Sequence, residues 1–331
     1  MKLIIPMAGI GKRMRPHTLT VPKPLLPVAG KPMVQHLVED ICKMTGEKVD
    51  EIGFVIGNFG KEVEQNLLKV AEKMGAKGKI FYQKEALGTA HAVLCAAEML
   101  EGKTIVAFAD TLFRGEVKID ASKDGVIWVQ KVEDPRPFGV VKMDKQNIIT
   151  DFIEKPQEFV SDMAIIGIYY FKDGAYLHKE MQYLIDNSIK DKGEYQLTNA
   201  LENMKKKGTK FTVAEVAEWL DCGNKDNMLY TNKRILETKE GRKTTKKTEN
   251  SIIIEPCYID ETVSLKNSIV GPYVSIGANT KIENAVISDS IIQDGTTISN
   301  SNIAASMIGS YVLVEGKQDS LNIGDYNQYK N

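Results

Sequence analysis

Between residues 253 and 308 an aliphatic residue returns at every fifth or sixth position: 253, 259, 265, 270, 276, 282, 287, 292, 298, 303 and 308. These residues are Ile, Ile, Leu, Val and then Ile at every remaining position. The step is too long for the two-residue alternation of a strand and out of phase with the turn of a helix. One apolar side chain per short face, pointing inward, is the pattern of a triangular β-solenoid, in which each coil buries its face against its neighbours. A small β-sandwich has no reason to keep such a period over eleven positions. Roughly three coils fit the segment, near the minimum for a stable stack.

The residues before it follow a different rhythm. KLIIPM (2–7) reads as a buried strand and PMVQHLVEDICKM (32–44) as a helix, with apolar residues at 33, 34, 37, 38 and 41. EIGFVI (51–56), KIFYQ (79–83) and TIVAFAD (104–110) read as further strands, and 61–74 and 89–100 as helices. Such alternation predicts an α/β fold with a doubly wound, mainly parallel, Rossmann-like sheet. From about 125 the strands come closer together (GVIWVQKV, FGVVKM, IITDFIEK, AIIGIYYF), then helices follow at about 173–186 and 195–207. This predicts an antiparallel lid or substrate half. The polar, basic stretch ETKEGRKTTKKTEN (237–250) reads as a solvated linker. The expected domains are therefore 1–237, a linker at 238–250, and the solenoid with its tail at 251–331.

Among 331 residues, 43 Lys and Arg nearly balance 44 Asp and Glu, so no general attraction to nucleic acid or an anionic membrane is expected. Any anion site must be local. MKLIIP is too short for a signal-peptide core, and no apolar run reaches the length of a membrane span. Cys42, Cys95, Cys222 and Cys257 form no CxxC pair, which indicates neither a disulfide framework nor a zinc knuckle. A cytoplasmic protein is the expectation.

MAGIGKRMRP (7–16) is the candidate phosphate loop. A Walker loop fails at both ends, because Pro6 stands where its first glycine belongs and Arg13 where its hydroxyl belongs. A dinucleotide fingerprint fails as well: Met14 occupies the third glycine position, and Pro16 with VPKPLLPVAGKP forbids a helix starting at the loop. What remains is a loop whose glycines let backbone approach a nucleotide, with Arg13 and Lys23 on its polyphosphate. This run resembles the signature of the sugar-1-phosphate nucleotidylyltransferases, in which a glycine loop with GxxR leads to a Lys-Pro pair, as Gly11, Arg13, Lys23 and Pro24 do here.

The resemblance continues along the chain. YQKEALGTAHA (82–92) is similar to the family's base-reading segment, which implies nucleotide contacts from Ala8, Gly9, Gly11, Lys12 and Arg13 in the loop and from Gln83, Gly88 and Thr89 here. By itself the Gln83 amide both donates and accepts, so it suits uracil or thymine and, flipped, cytosine. The pyrimidine preference comes from the resemblance. Asp110 closes a central strand, where ligands of open α/β sheets gather, and WLDCG (219–223) supplies Asp221. The family holds Mg2+ at these two positions, and magnesium on a nucleotide takes one or two carboxylates plus phosphate oxygens. PFGVVKMD (137–144) and FIEKP (152–156) resemble its sugar-phosphate site, with Gly139 and Glu154 toward sugar hydroxyls and Lys155 toward the phosphate.

The implied reaction joins a pyrimidine nucleoside triphosphate, dTTP or UTP, to a hexose 1-phosphate, glucose 1-phosphate first, and releases pyrophosphate. Arg13, Lys23 and Asp110 are its expected catalytic residues. The attacking phosphate oxygen is already an anion, so no protein nucleophile or general base is needed. A mannose-1-phosphate guanylyltransferase and a silent nucleotide-sugar-binding regulatory subunit are the alternatives. AIIGIYYF (164–171) resembles the strand of glucose-1-phosphate enzymes. His36 and His178 lie in predicted helices and read as structural or solvated, whereas His17 and His91 border the expected site. Some relatives carry a histidine-dependent acetyltransferase in a similar left-handed β-helix; residues 250–331 contain no histidine, so this tail reads as an assembly or regulatory module that joins copies into a homo-oligomer. Three departures stand out: Pro6-Met7-Ala8 replaces Leu-Ala-Gly, Lys12 replaces a threonine, and Thr111 follows Asp110 where Asp or Asn is frequent.

Overall fold

The computed structural model describes residues 1–115, 118–238, 247–316 and 321–330. The regular elements before the solenoid are β1 (Lys2–Pro6), β2 (Pro27–Val28), β3 (Lys31–Pro32), α1 (Met33–Met44), β4 (Glu51–Ile56), α2 (Lys61–Lys73), β5 (Lys77–Tyr82) and α3 (Thr89–Leu94). They continue with β6 (Thr104–Ala107), β7 (Thr111–Arg114), β8 (Gly125–Lys131), β9 (Gly139–Met143), β10 (Ile149–Glu154) and β11 (Met163–Phe171). After these come α4 (Gly174–Asp186), α5 (Leu197–Lys206), β12 (Phe211–Glu215), β13 (Glu218–Asp221) and α6 (Lys225–Leu236). The chain divides into two compact units, each discontinuous in sequence: Met1–Gly9 with Leu37–Trp219, and Ile10–His36 with Leu220–Asn331.

The first unit is built on one mixed sheet of order β10-β9-β11-β6-β1-β4-β5, with β8 paired to β11 and β12 to β8. β6, β1, β4 and β5 run parallel. Leu3, Ile4 and Ile5 are fully buried, which is why β1 reads as an unbroken apolar run. The antiparallel half expected after residue 125 is present as a continuation of this sheet. β11 joins the halves: it runs antiparallel to β6, β8 and β9, and its register against β8 shifts between Ile165 and Tyr169. Such a bulge bends one long strand and lets it serve both halves.

One helical expectation needs correction, and one helix was not expected. The helix expected over 89–100 ends at Leu94, and Ala97–Met99 follows as a single 3-10 turn. That turn carries Met99 into the core against Gly53, where a Cβ would stand 2.3 Å from the Met99 sulfur. Helix α6 has no counterpart in the sequence reading. Its stripe of Met228, Leu229 and Leu236 is interrupted by Thr231 and Asn232, polar residues that are also buried.

In the second unit, residues 10–36 form three 3-10 turns (Lys12–Met14, His17–Leu19, Lys23–Leu25) and the small β2–β3 pair before α1 begins. The proline run thus excludes a helix at the loop, as expected. The solenoid follows as three parallel sheets, stacked coil on coil as in a left-handed β-helix. Ile253, Val270, Ile287 and Ile303 align in one row. Ile259, Ile276, Ile292, Ile308 and Ile323 form the second, and Leu265, Ile282, Ile298 and Val314 the third. Together they make one apolar core.

The stack is taller than the roughly three coils expected, with sheets of six, four and five strands among the described residues. Val314 and Ile323 prolong the period beyond 308, and the first strand, Thr248–Glu249, begins inside the stretch read as linker. Residues 239–246 of that stretch lie outside the described residues. Within the second unit, residues 10–36 and α6 both lie along the solenoid. The Tyr258 ring covers Gly30, where any side chain would collide with it. Asn232 of α6, 1 % exposed, accepts from the Ala29 amide at 2.9 Å and from Ser275 Oγ at 2.6 Å. A buried amide with several partners fixes a junction. No helix among the described residues is long and apolar enough to cross a membrane.

Candidate active site

The first unit carries the segments expected to read the base and to hold the sugar phosphate. Gln83 follows β5, and its backbone amide donates to the Ile56 carbonyl at 2.9 Å, which extends the sheet by one residue. Its side-chain Nε2 faces two acceptors, the Gly88 carbonyl at 3.3 Å and His91 Nδ1 at 3.2 Å. A carbonyl cannot donate, so the amide nitrogen must face Gly88, and Oε1 is the atom turned elsewhere. His91 therefore orients Gln83.

Gly88, with φ 117°, precedes α3. A Cβ there would stand 2.5 Å from the Tyr195 carbonyl oxygen and 2.7 Å from its nitrogen. The turn needs this approach, because Tyr195 N donates to Leu87 O at 2.8 Å and Ala90 N to Tyr195 O at 2.9 Å. The Thr89 hydroxyl is committed to the same support: it donates to Gln196 Oε1 at 3.0 Å and accepts from the Leu197 amide at 2.8 Å. What Thr89 leaves for a nucleotide is backbone.

Gly139 and Glu154 are register partners at the ends of β9 and β10. A Cβ on Gly139 would stand 3.0 Å from Glu154 Oε2, so the glycine makes room for the carboxylate. Glu154 Oε2 accepts from Thr198 Oγ1 at 3.0 Å, and Oε1 lies 3.6 Å from Lys155 Nζ. Burial, and then the charge of Glu154, push the Tyr169 phenol far up, so it stays protonated. Lys155 is the exposed partner of the pair, and Lys192 Nζ donates to its carbonyl at 3.0 Å. The result is a hydroxyl-accepting carboxylate beside an accessible cation.

Asp110 is exposed, two residues beyond the point where the Phe108 amide donates to Gly167 O at 2.9 Å. Thr111 points inward instead, its hydroxyl donating to the Ile166 carbonyl at 2.5 Å. That buried bond accounts for a threonine where the family often has a second acidic or amide residue.

The second unit carries the loop from Ile10 onward and the other carboxylate. Gly11, φ 65°, opens the Lys12–Met14 turn, with Lys12 and Arg13 exposed. A Cβ on Gly11 would stand 3.0 Å from Lys23 Cβ, which brings the start of the turn against the buried Lys23. Gly9, which ends the first unit's opening segment, has open space around its α-carbon. Asp221 closes β13, and its Oδ2 accepts from Asn227 Nδ2 at 2.7 Å. Asn227 is held in turn by α6, whose cap Asn224 accepts from the Asn227 amide at 2.9 Å. Arg13 converges on the same place: a Cβ on Gly223 would stand 3.1 Å from Arg13 Nη2 and 2.9 Å from Asp221 Oδ2.

Residues 2–238 match the family model described as nucleotidyl transferase. The chain belongs to the nucleotidyl transferase family. Within it, the chain is 29 % identical over 356 residues to the low-salt glycan biosynthesis nucleotidyltransferase Agl11 of Haloferax volcanii, covering 97 % of this chain and 96 % of that one. It is 28 % identical over 340 residues to glucose-1-phosphate thymidylyltransferase of Streptomyces griseus, covering 95 % and 93 %. The structure of a UDP-glucose pyrophosphorylase with UDP-glucose shares the fold, with a TM-score of 0.59 and 21 % identity over 71 % of this chain and 98 % of that one. This nucleotidyl transferase is of the sugar-1-phosphate type.

The family uses a divalent metal, and the donor chemistry here fits one that arrives with a nucleotide. Asp110 in the first unit and Asp221 in the second each offer hard carboxylate oxygens, the donor type that magnesium takes singly or in pairs with phosphate oxygens and water. His91, which borders the expected site in the sequence, braces Gln83. Other supporting residues leave no such signal: Tyr169 and Thr198 flank Glu154, Tyr195 braces the Gly88 turn, and Asn227 holds Asp221. Asn224 before an apolar stripe is a helix-start signal that could have revealed α6 and, with it, Asn227.

Proposed function

We propose that this nucleotidyl transferase joins dTTP or UTP to a hexose 1-phosphate, with glucose 1-phosphate as the first choice, and releases pyrophosphate. The observation that carries the base assignment is the orientation of Gln83. With Nε2 held by Gly88 and His91, Oε1 accepts, which suits the N3 hydrogen of uracil or thymine. Cytosine N3 and adenine N1 are acceptors and would repel it. The Glu154–Lys155 pair supports the sugar phosphate, with the carboxylate taking hydroxyls and the cation taking phosphate.

A phosphate oxygen of the sugar 1-phosphate forms a bond to the α-phosphorus as the bond to the bridging oxygen breaks, and that electron pair leaves with pyrophosphate. Arg13 and Lys23 neutralise the charge that develops on the leaving group, and Lys12 adds to that grip. Bound magnesium, on Asp110 and Asp221, would supply charge neutralisation at the phosphates. In this reading residues 1–237 are the catalytic domain and 251–331 an assembly module, in a cytoplasmic enzyme.

The test is pyrophosphate release over a grid of nucleoside triphosphates and sugar 1-phosphates with magnesium. Turnover is expected with dTTP or UTP, and Asp110→Asn or Asp221→Asn should each lower kcat by about 10²-fold, the scale of losing one transition-state electrostatic contact. Activity restricted to GTP, whose N1 hydrogen also suits an acceptor, would overturn the pyrimidine assignment. Silence across the grid would leave the regulatory-subunit reading.

A further inference from the structure

The stretch Pro16–Thr20 fastens the glycine loop to the last coil of the solenoid. His17 is 2 % exposed, and with Asn322 Oδ1 accepting from Nε2 at 2.9 Å, the ring proton sits on Nε2. Nδ1 is buried without a hydrogen-bond partner. Burial lowers the pKa of the imidazole, against the upward push of the Asn322 bond and the Asp325 charge, and favours the neutral ring. Thr20 Oγ1 donates to Asp325 Oδ2, and the other oxygen of that carboxylate accepts from the Ser310 amide at 2.7 Å. Pro16 lies over Gly324, where a Cβ would stand 3.0 Å from the proline Cβ.

The same stretch also grips the loop. Thr18 Oγ1 donates to the Gly11 carbonyl at 2.8 Å, and its methyl carbon would stand 3.1 Å from a Cβ placed on Gly11. Gly11 opens the turn that bears Lys12 and Arg13. Contacts therefore run unbroken from Asn322 and Asp325, through His17, Thr18 and Thr20, to the cationic turn. Short 3-10 turns have little stability of their own, so an external hold decides how much order remains to be gained when a ligand binds.

We propose that Asn322 and Asp325 are positioning residues for the triphosphate: the last solenoid coil sets where the glycine loop presents Lys12 and Arg13. This rests on the triphosphate role of that loop proposed above. Asn322 is exposed, so replacing it leaves the solenoid core untouched. The solenoid is then a working part of the nucleotide grip as well as a module for assembly.

The test compares Asn322→Leu, which removes the acceptor, with Asn322→Asp, which keeps one for His17 Nε2. In the leucine variant the KM for the triphosphate should rise about five- to tenfold, the equivalent of one lost hydrogen bond, with kcat and the KM for sugar 1-phosphate within about twofold of wild type. Amide hydrogen exchange in residues 9–20 should quicken by a similar factor. Asp325→Ala should repeat both effects, and Asn322→Asp should restore both. An Asn322→Leu protein that melts cooperatively with unchanged triphosphate KM and unchanged exchange overturns the proposal. So does a rise in both KM values that aspartate fails to rescue. If the wild-type protein releases no pyrophosphate with any pair, the proposed function falls, and the Kd for dTTP or UTP in the same variants decides this inference on its own.

Discussion

Gly9 and Gly88 are both glycines of the expected nucleotide site, yet the fold treats them differently. Gly88 is required by the protein itself, since its φ of 117° and the Tyr195 backbone 2.5 Å from an added Cβ leave no room for a side chain. Gly88→Ala should cost on the order of 2 kcal/mol through strain and loss of the Tyr195 bonds, lowering Tm by several degrees. Gly9 meets nothing within 4 Å, so Gly9→Ala should leave Tm unchanged and weaken triphosphate binding about tenfold, because only a ligand would need that space. Thermal denaturation and triphosphate titration of both variants check this; a Gly9→Ala protein with wild-type affinity would refute a backbone wrap at that residue. The same contrast explains what was legible at this scale. Arg13, Lys23, Gln83, Glu154 and Asp221 each sit in a short run whose chemistry can be read locally. Thr198, Tyr195 and Asn227 act on those residues from other segments, and a hydrogen bond such as Thr89 to Gln196, across 107 positions, leaves no local trace.

At the scale of elements, the solenoid was legible because one inward residue per face must repeat wherever coils stack. A second repeat accompanies it and was not read. Asn250, Asn267, Asn284 and Asn300 mark one corner of successive coils, all at positive φ, and their side-chain amides bond in series at 3.4, 3.2 and 3.1 Å. Asparagine serves both needs, since it tolerates the left-handed conformation and its amide both donates and accepts. Asn284→Gly should lose only the ladder, about 1 kcal/mol for bonds exposed to water. Asn284→Ala should lose the ladder and add a left-handed penalty of about 1 kcal/mol. Melting temperatures should thus fall in the order wild type, glycine, alanine; an alanine variant as stable as wild type would refute the account. Helix α6 offers only its cap, Asn224, as a local signal, because its stripe is broken. Asn232 breaks its apolar stripe to serve Ala29 and Ser275, so a tertiary requirement overrode the local pattern.

The whole molecule differs from its sequence order in one respect: residues 10–36 group with the solenoid, although they stand near the start of the chain. His17 meets Asn322 across 305 positions, a pairing that periodicity cannot announce. The outer surface of the solenoid raises the question of assembly. Ile252, Ile269 and Val286 are register partners in successive coils and are 59 %, 37 % and 44 % exposed, while Ile253, Val270 and Ile287 beside them turn toward the core. An aligned row of aliphatic side chains on a regular face is an unfavourable surface to leave in water, and a second copy of the chain offers a matching row. We propose that copies associate through this face. Light scattering at about 50 µM should then give a mass above that of the single chain, within the reach of a micromolar interface. The double substitution Ile269→Glu with Val286→Glu should return it to the single-chain mass, because like charges would face each other across a two-fold contact. Both positions point outward, so Tm at low concentration should change little. A wild-type protein that scatters as a single chain would refute the association, and an oligomer that survives the double substitution would move it to another face.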